Sequence, residues 1–208
     1  MEERFIREKK ELAYHAHIFD VYNDYLILPD GQKVIYDLID HIPGCCVLPV
    51  DENGQKVIYD LIDHIPGCCV LPVDENGQLI FVRQYRNALD DMTLEVPAGC
   101  MDKGETPEQC IRRELKEETG YTAEQLMFVT KTCLAIGTSN EMTYVYIATG
   151  LTHGEQMPDR EEFIKLEKYS LEDAMQMIED GKIIDSKTLI AIYAYANHVL
   201  KKQIRQGI

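Results

Sequence analysis

The chain has 208 residues, 45% hydrophobic and 27% charged, which is ordinary for a soluble globular protein. Its formal net charge of -15 makes nucleic acid and anionic membranes poor partners, because such a surface repels phosphate groups. No apolar run approaches the roughly 18 residues that span a bilayer, and the charged first 14 residues lack the apolar core of a signal peptide. We therefore expect a cytoplasmic protein without a membrane or nucleic-acid partner.

The region from residue 16 to 28 is apolar in patches and ends at the turn-forming sequence Pro29-Asp30-Gly31. This pattern predicts a small N-terminal antiparallel sheet. We expect that sheet to occupy residues 1–66 as a dimerisation region and a mixed α/β core to occupy residues 67–208.

An exact repeat overlaps this boundary: residues 31–53 recur unchanged at 54–76. Repeat architectures need three or more copies and drift in sequence, so two identical copies indicate a tandem duplication instead. Each copy is typical of a strand, a turn and a second strand, and Asn76-Gly77 favours a type I′ hairpin turn.

We expect the strand Cys68–Val73 of the second copy to pair with the strand 79–86 in the core. The first copy is then expected to add a hairpin to the N-terminal sheet, with the opposite assignment as the alternative.

The seven cysteines include two vicinal pairs, and none has the spacing of a zinc site. We expect reduced thiols that pack as small apolar side chains.

The sequence after Gly104 contains the clearest helix signals. Thr106 and Gln109 form a capping-box pattern around Pro107, and Gly120 suits a helix end, so a helix is predicted over 107–119. Strands are predicted over 142–148 and 162–169. Further helices are predicted from Ser170 to near Gly181 and from Asp185 or Ser186 onwards, which together indicate an α/β (α+β) fold.

Three carboxylates share one side of the predicted helix, because Glu114, Glu117 and Glu118 are three and four residues apart. An exposed acidic face is the ordinary explanation for such a cluster. The preceding sequence Pro97-Ala98-Gly99 favours a binding site instead, because carboxylates beside free backbone carbonyls suit a hard cation such as Mg²⁺.

These residues carry a resemblance to a known family. Gly99, five residues, Glu105, seven residues and then Arg113-Glu-Leu-Lys-Glu-Glu-Thr-Gly120 match the signature box of the Nudix hydrolases. The sequences Val82–Arg86, Leu94–Gly99 and Gly181–Leu189 are similar to the branch of ADP-ribose pyrophosphatases.

The resemblance implies an α/β/α sandwich with a mixed sheet that hydrolyses a nucleoside-diphosphate sugar to a nucleoside monophosphate and a sugar phosphate. It implies that Glu114, Glu117, Glu118 and the carbonyl of Ala98 bind Mg²⁺, with Mn²⁺ as a substitute. It assigns Glu105 either to closing the box loop or to reaching a metal through water, and Arg113 to orienting Glu117.

The resemblance places the general base outside the box, at Glu162, with Glu161 as the alternative. It implies that Arg86 contacts the diphosphate, a surface salt bridge being the alternative, and that Glu95 contacts a ribose hydroxyl or an amine. It also implies a homodimer in which an aromatic side chain stacks on adenine, and Tyr14, Tyr22 and Tyr25 are the candidates.

One position departs from the branch, because Ile136 stands where its members usually carry a proline. This departure keeps other substrates open, namely GDP-mannose, another nucleotide sugar or a damaged nucleotide. Two further alternatives are an enzyme impaired by the duplication and a ligand-binding sensor, although a sensor is expected to lose the box carboxylates that this chain retains.

Overall fold

The structure is a computed structural model that describes residues 4–15, 19–41, 62–137, 139–157 and 163–206. The chain divides into two compact units. The first contains residues 1–62 and 85–91, and the second contains residues 63–84 and 92–208. The expected division into domains after residue 66 stays a prediction.

The first unit is built on an antiparallel sheet of three strands, in the order β1-β2-β3. Its strands are β1 (Ile6–His15), β2 (Phe19–Ile27) and β3 (Lys33–His41). The predicted turn joins β2 to β3, and Gly31 there has φ 86°, a left-handed conformation that glycine adopts without a steric penalty. The small N-terminal antiparallel sheet is therefore confirmed.

A buried carboxylate in β2 is neutralised within this first unit. Asp24 accepts hydrogen bonds from Arg7 Nε at 2.6 Å and Arg7 Nη2 at 2.8 Å, and a longer one of 3.3 Å from Asn87 Nδ2. Burial raises the pKa of Asp24, but these hydrogen bonds outweigh it and hold the pKa below its usual range. The bidentate Arg7 pair therefore joins β1 to β2 through charge as well as backbone pairing.

The second unit contains two sheets and the three helices of the described residues. One sheet has the order β10-β5-β6 and the other has the order β7-β4-β9-β8. The strands are β4 (Gly67–Pro72), β5 (Leu79–Arg86), β6 (Asp91–Glu95), β7 (Ala98–Cys100), β8 (Tyr121–Cys133), β9 (Met142–His153) and β10 (Lys165–Tyr169). The helices are α1 (Pro107–Thr119), α2 (Leu171–Glu179) and α3 (Ser186–Gln206).

Strand β4 is covered on both faces, which explains why its sequence is apolar throughout. Cys68 and Val70 pack into a cluster with the α1 residues Ile111 and Leu115. Cys69 and Leu71 point to the opposite face, into a cluster that includes residues of α2 and α3. Because β4 runs parallel to β9 and antiparallel to β7, the sheet is mixed, and the predicted α/β sandwich is confirmed.

Two details around β4 differ from the sequence prediction. The predicted pairing of β4 with β5 is wrong, because β4 pairs with β7 and β9, and an isolated bridge between Val73 and Leu79 is its nearest link to β5. Both faces of β4 bury apolar side chains, and this demand places it inside a sheet beside β9.

The turn that follows is not type I′, which requires positive φ at both central residues. Gly77 has φ 76°, whereas Asp90 is the one non-glycine residue with positive φ in the described part of the chain. The carboxylate of Asp74 accepts hydrogen bonds from the backbone N–H groups of Asn76 and Gln78, at 2.9 and 3.0 Å. This side chain stabilises a wider turn with Asn76 in an ordinary conformation.

Each copy of the repeat supplies one described strand. The first copy provides β3, which pairs with β2 in the N-terminal sheet, and the second copy provides β4 in the core sheet. Residues 42–61, which include the rest of the expected additional hairpin, lie outside the described residues.

The predicted helix over 107–119 is confirmed at both ends. Thr106 Oγ1 accepts a hydrogen bond from Gln109 N at 3.3 Å, and Gln109 Oε1 accepts one from Thr106 N at 2.9 Å. Gly120 ends the helix in the left-handed conformation, and its N–H donates to Lys116 O at 2.8 Å.

The strand predicted over 142–148 extends to His153, and the one predicted over 162–169 is described as a strand from Lys165. The last two helices begin after Ser170 and at Ser186, as predicted. No helix within the described ranges is long and apolar enough to cross a membrane.

Candidate active site

Helix α1 carries its carboxylates at the boundary between the core and the surface. Glu114 and Glu118 are only 8% and 2% exposed, and they follow one another at i and i+4 beside the buried side chain of Leu115. Glu117 lies on the more open side of the same turn. Burying two carboxylates is costly unless opposite charge or hydrogen bonds compensate.

The segment that forms β7 lies directly against these carboxylates. Ala98 N donates to Glu118 Oε2 at 3.0 Å. A Cβ atom added to Gly99 would lie 2.0 Å from Glu114 Oε1, so only glycine lets the backbone approach this closely. The structure therefore brings together Ala98, Gly99, Glu114 and Glu118, four residues that the sequence predicted for one site.

Arg113 contacts the acidic residues of the box. Its Nη1 atom donates to Glu114 at 2.6 Å and to Glu117 at 3.1 Å. Its Nε and Nη2 atoms donate to the two oxygens of Glu105, each at 3.0 Å. The i,i+4 pair between Arg113 and Glu117 is present, and the same guanidinium joins the helix to the loop that carries Glu105.

This pairing shifts the acid–base behaviour of the box. The hydrogen bonds from Arg113 hold the pKa of Glu105 below its usual range. Glu105 in turn raises the pKa of Arg113, and Glu114 and Glu117 add to the effect, so the guanidinium stays charged. Glu105 also accepts a hydrogen bond from Asp102 N at 2.9 Å, which closes the box loop.

The donor atoms of the box suit a hard divalent cation. They are carboxylate oxygens, and the single positive charge of Arg113 is shared among Glu105, Glu114 and Glu117, with Asp102 at 3.7 Å. Within the described ranges, no three acidic, histidine or cysteine side chains form a preformed metal cluster. Arg113 and Ala98 N hold the carboxylates, so a cation would compete with these contacts for the oxygens.

The chain beyond β9 returns to the end of α1. Met157 N donates to Glu117 O at 3.0 Å, and Gln156 Nε2 donates to Glu118 O at 2.6 Å. These bonds satisfy carbonyls in the last helical turn. The predicted bases Glu161 and Glu162 follow in the sequence but lie outside the described residues.

The two residues predicted to contact substrate lie in different units. Arg86 ends β5 in the first unit, and its contact with the diphosphate stays a prediction. Glu95 ends β6 in the second unit and is only 3% exposed. Its Oε2 atom accepts from Lys187 Nζ at 2.5 Å and its Oε1 atom from Thr93 Oγ1 at 2.7 Å.

The three candidate tyrosines lie in the sheet of the first unit. Lysine ammonium groups lie 3.9 Å from the ring centroid of Tyr22 and 4.1 Å from that of Tyr25, in cation–π geometry. Tyr14 is exposed on β1, and stacking on adenine stays a prediction for all three.

Sequence reasoning missed the site-supporting roles of Gln156 and Lys187. Lys187 was noticed only as a part of the similar tail sequence. Its partner Glu95 is 92 residues away, so no local spacing connects them. The one available signal was a pair of threonines flanking these charges at positions 93 and 188.

Comparison with known proteins supports the geometry. A family model described as the NUDIX domain matches residues 63–191, which include the whole box. The chain is 32% identical to the ADP-ribose pyrophosphatase of Bacillus subtilis (strain 168) over 197 residues, covering 93% of this chain and 94% of that protein. It is 35% identical to the methanol dehydrogenase activator of Bacillus methanolicus over the same length, with the same two coverages.

A solved structure described as an ADP compounds hydrolase has the same fold. It matches with a TM-score of 0.62 and 20% identity, covering 97% of this chain and 96% of that one. The domain match spans more than half of the chain, and the relatives align over nearly all of it. With its box carboxylates gathered between α1 and the Ala98–Gly99 segment, the chain belongs to the Nudix family of hydrolases.

Proposed function

We propose that this protein hydrolyses the diphosphate of ADP-ribose or a related nucleoside-diphosphate sugar. The products are a nucleoside monophosphate and a sugar phosphate. The observation that carries the proposal is the placement of Glu114 and Glu118 against Ala98 and Gly99, with Glu117 joined to them through Arg113. The pyrophosphatase similar over nearly the full length supports the substrate class.

Glu114, Glu117, Glu118 and the carbonyl of Ala98 would hold Mg²⁺, with Mn²⁺ as a substitute. The bound cation supplies charge neutralisation at the diphosphate and lowers the pKa of its water. Buried Glu114 and Glu118 contribute full negative charge in a place where water screens it poorly. Arg113 limits the repulsion among these carboxylates before a cation arrives.

We assign the general base to Glu162, with Glu161 as the alternative. A base must take a proton from the attacking water at hydrogen-bond distance. Support comes from Met157, five residues earlier in the chain, which is anchored by its N–H on the carbonyl of Glu117. The segment leading to the base therefore starts from the helix that carries the cation ligands.

A panel of substrates tests the proposal. ADP-ribose, other ADP-sugars, GDP-mannose and oxidised nucleotides are incubated with the full chain, with Mg²⁺ and with a chelator. We expect monophosphate release to be fastest with ADP-ribose or another ADP-sugar and to be lost on chelation. A faster reaction with GDP-mannose would move the specificity to another nucleotide sugar, and no reaction with any diphosphate would refute the activity.

The same proposal includes a homodimer and a cytoplasmic location. The charge of -15 favours small-molecule over nucleic-acid partners. Light scattering on the purified chain should give a mass twice that of the 23.9 kDa protomer. A mass equal to one protomer would remove the dimer from the proposal.

A further inference from the structure

Glu95 occupies an unusual place for a residue that was expected to bind substrate. It is 3% exposed, and its two oxygens already accept hydrogen bonds from Thr93 and Lys187. The Lys187 side chain is only 13% exposed and also contacts Asp185 at 3.0 Å. A buried pair of this kind contributes little net stability compared with an apolar pair, so its retention calls for another role.

The first turn of α3 also holds the residue after Glu95. Thr188 Oγ1 accepts a hydrogen bond from Val96 N at 2.9 Å and donates one to Asp185 Oδ2 at 2.5 Å. Asp185 accepts a further bond from Thr188 N at 3.0 Å, which caps the helix. The start of α3 therefore grips both the side chain of residue 95 and the backbone of residue 96.

The opposite end of the same short segment meets the box. Pro97 O accepts from Val70 N at 2.9 Å, and Ala98 N donates to Glu118 at 3.0 Å. Gly99 lies against Glu114 with no room for a Cβ atom. A displacement of residue 95 would thus be transmitted through two peptide units and Pro97 to the backbone that faces the carboxylates.

We propose that Lys187 is a positioning residue that acts through Glu95 to fix the Ala98–Gly99 backbone against the cation ligands of α1. This inference rests on the proposed function and deepens it. It reassigns Glu95 from contacting the substrate to holding the metal-facing backbone. The principle is that partners behind the ligands set ligand orientation, and their loss typically weakens metal binding about 10–100-fold.

The test compares Lys187→Met with Lys182→Met, which removes an exposed lysine paired with Asp180. Binding of Mn²⁺ to the metal-free protein is titrated by electron paramagnetic resonance, and thermal unfolding is followed in parallel. We expect Lys187→Met to weaken Mn²⁺ binding by about tenfold or more, whereas Lys182→Met should stay within about twofold.

Kinetics separate positioning from substrate contact. With ADP-ribose, the Mg²⁺ concentration for half-maximal rate should rise in Lys187→Met, while the substrate KM at saturating Mg²⁺ should stay unchanged. A raised KM with unchanged Mn²⁺ binding would mean that the pair serves the substrate, and it would overturn the inference. A lower melting temperature with unchanged Mn²⁺ binding and kinetics would also overturn it, because the role would then be structural alone.

If Lys187→Met does not fold, the variant Lys187→Met/Glu95→Gln removes both buried charges and permits the same titration. Weakened Mn²⁺ binding in the double variant supports the inference, and binding equal to that of the parent overturns it. The parent protein separates the two levels of the argument. If the parent binds no Mn²⁺ and hydrolyses no nucleotide sugar, the proposed function fails, whereas a parent with both properties leaves only the role of Lys187 in question.

Discussion

At the residue scale, the chemistry of the box depends on negative charge that the fold keeps buried. Glu118 is the clearest case, because it is 2% exposed and also holds the Ala98 amide. A glutamine at this position keeps an oxygen that can accept the same hydrogen bond, but it carries no charge. The two functions of Glu118, in structure and in cation binding, can therefore be separated.

We expect Glu118→Gln to lower kcat by about 10²–10³-fold, since a cation supplies several kcal/mol and each 1.4 kcal/mol is tenfold. Its melting temperature should not fall, because one of several neighbouring carboxylates loses its charge. Steady-state hydrolysis of ADP-ribose and circular dichroism measure the two effects. The matched control is Glu108→Gln, an exposed glutamate of the same helix paired with Arg112. A rate within tenfold of the parent would contradict the assignment of Glu118 as a ligand.

The base makes a different prediction, because it acts on the attacking water and not on the cation. Glu162→Gln should lower kcat by about 10²–10⁴-fold, the usual contribution of a general base. Binding of Mn²⁺ should remain as in the parent. Glu161→Gln is the neighbouring control and should retain most of the activity. A larger loss in Glu161→Gln than in Glu162→Gln would exchange the two assignments.

At the scale of elements, the Nudix helix depends on its cap. Thr106→Ala removes the oxygen that accepts the Gln109 N–H and should lower the free energy of unfolding by about 1 kcal/mol. Thr106→Ser keeps an acceptor and should remain close to the parent. Urea denaturation measures both variants. Equal stability of the alanine and serine variants would show that the capping box contributes nothing here.

A second prediction at this scale concerns the pairing of β5 with β10. Arg83 donates two hydrogen bonds to Glu167, at 2.5 and 3.0 Å, and they hold the pKa of Glu167 below its usual range. A lowered folded-state pKa means that the stabilisation is present above the unfolded value of about 4.5 and disappears as the pH falls below it. The melting temperature should therefore fall between about pH 5 and pH 3, and Glu167→Gln should make this fall shallower.

The control for this prediction is Glu75→Gln, which changes an exposed glutamate in the turn before β5. Its melting temperature should follow the parent across the same pH range. An acid profile of Glu167→Gln that is identical to that of the parent would refute the contribution of the Arg83 pair.

The elements also show which parts of the fold a sequence can predict. The helix over 107–119 was predictable to the residue, because its cap, its proline and its terminal glycine are all local signals. The partner of β4 was not, since β9 lies about 75 residues further along the chain. Likewise the box carboxylates were evident from their spacing, whereas the pair of Glu95 with Lys187 exists only once α3 has packed.

At the scale of the whole molecule, the repeat makes one part of the chain redundant. β3 comes from the first copy and β4 from the second, so one strand of each copy is used in the described structure. A single copy contains the sequences of both strands in the same order. Because the copies are identical, deletion of residues 31–53 or of 54–76 gives one and the same chain of 185 residues.

We expect this shortened chain to keep both strands, the box and the catalytic residues. The connection from β3 to β4 would shrink from 25 residues to two, since 23 are removed from the span 42–66. Loop-closure entropy scales as (3/2)RT ln n, so the saving is about 2 kcal/mol, which corresponds to a rise in melting temperature of about 4 °C or more for a domain of this size.

Calorimetry and ADP-ribose hydrolysis on the two chains decide the matter. A higher melting temperature with unchanged kcat would mean that the second copy of these 23 residues is dispensable. The net charge changes only from -15 to -12, since three Asp, one Glu and one Lys are lost, so altered solubility should not confuse the comparison. A lower melting temperature or lost turnover would instead show that the repeated residues have become part of the folded protein, through contacts that a single copy cannot make.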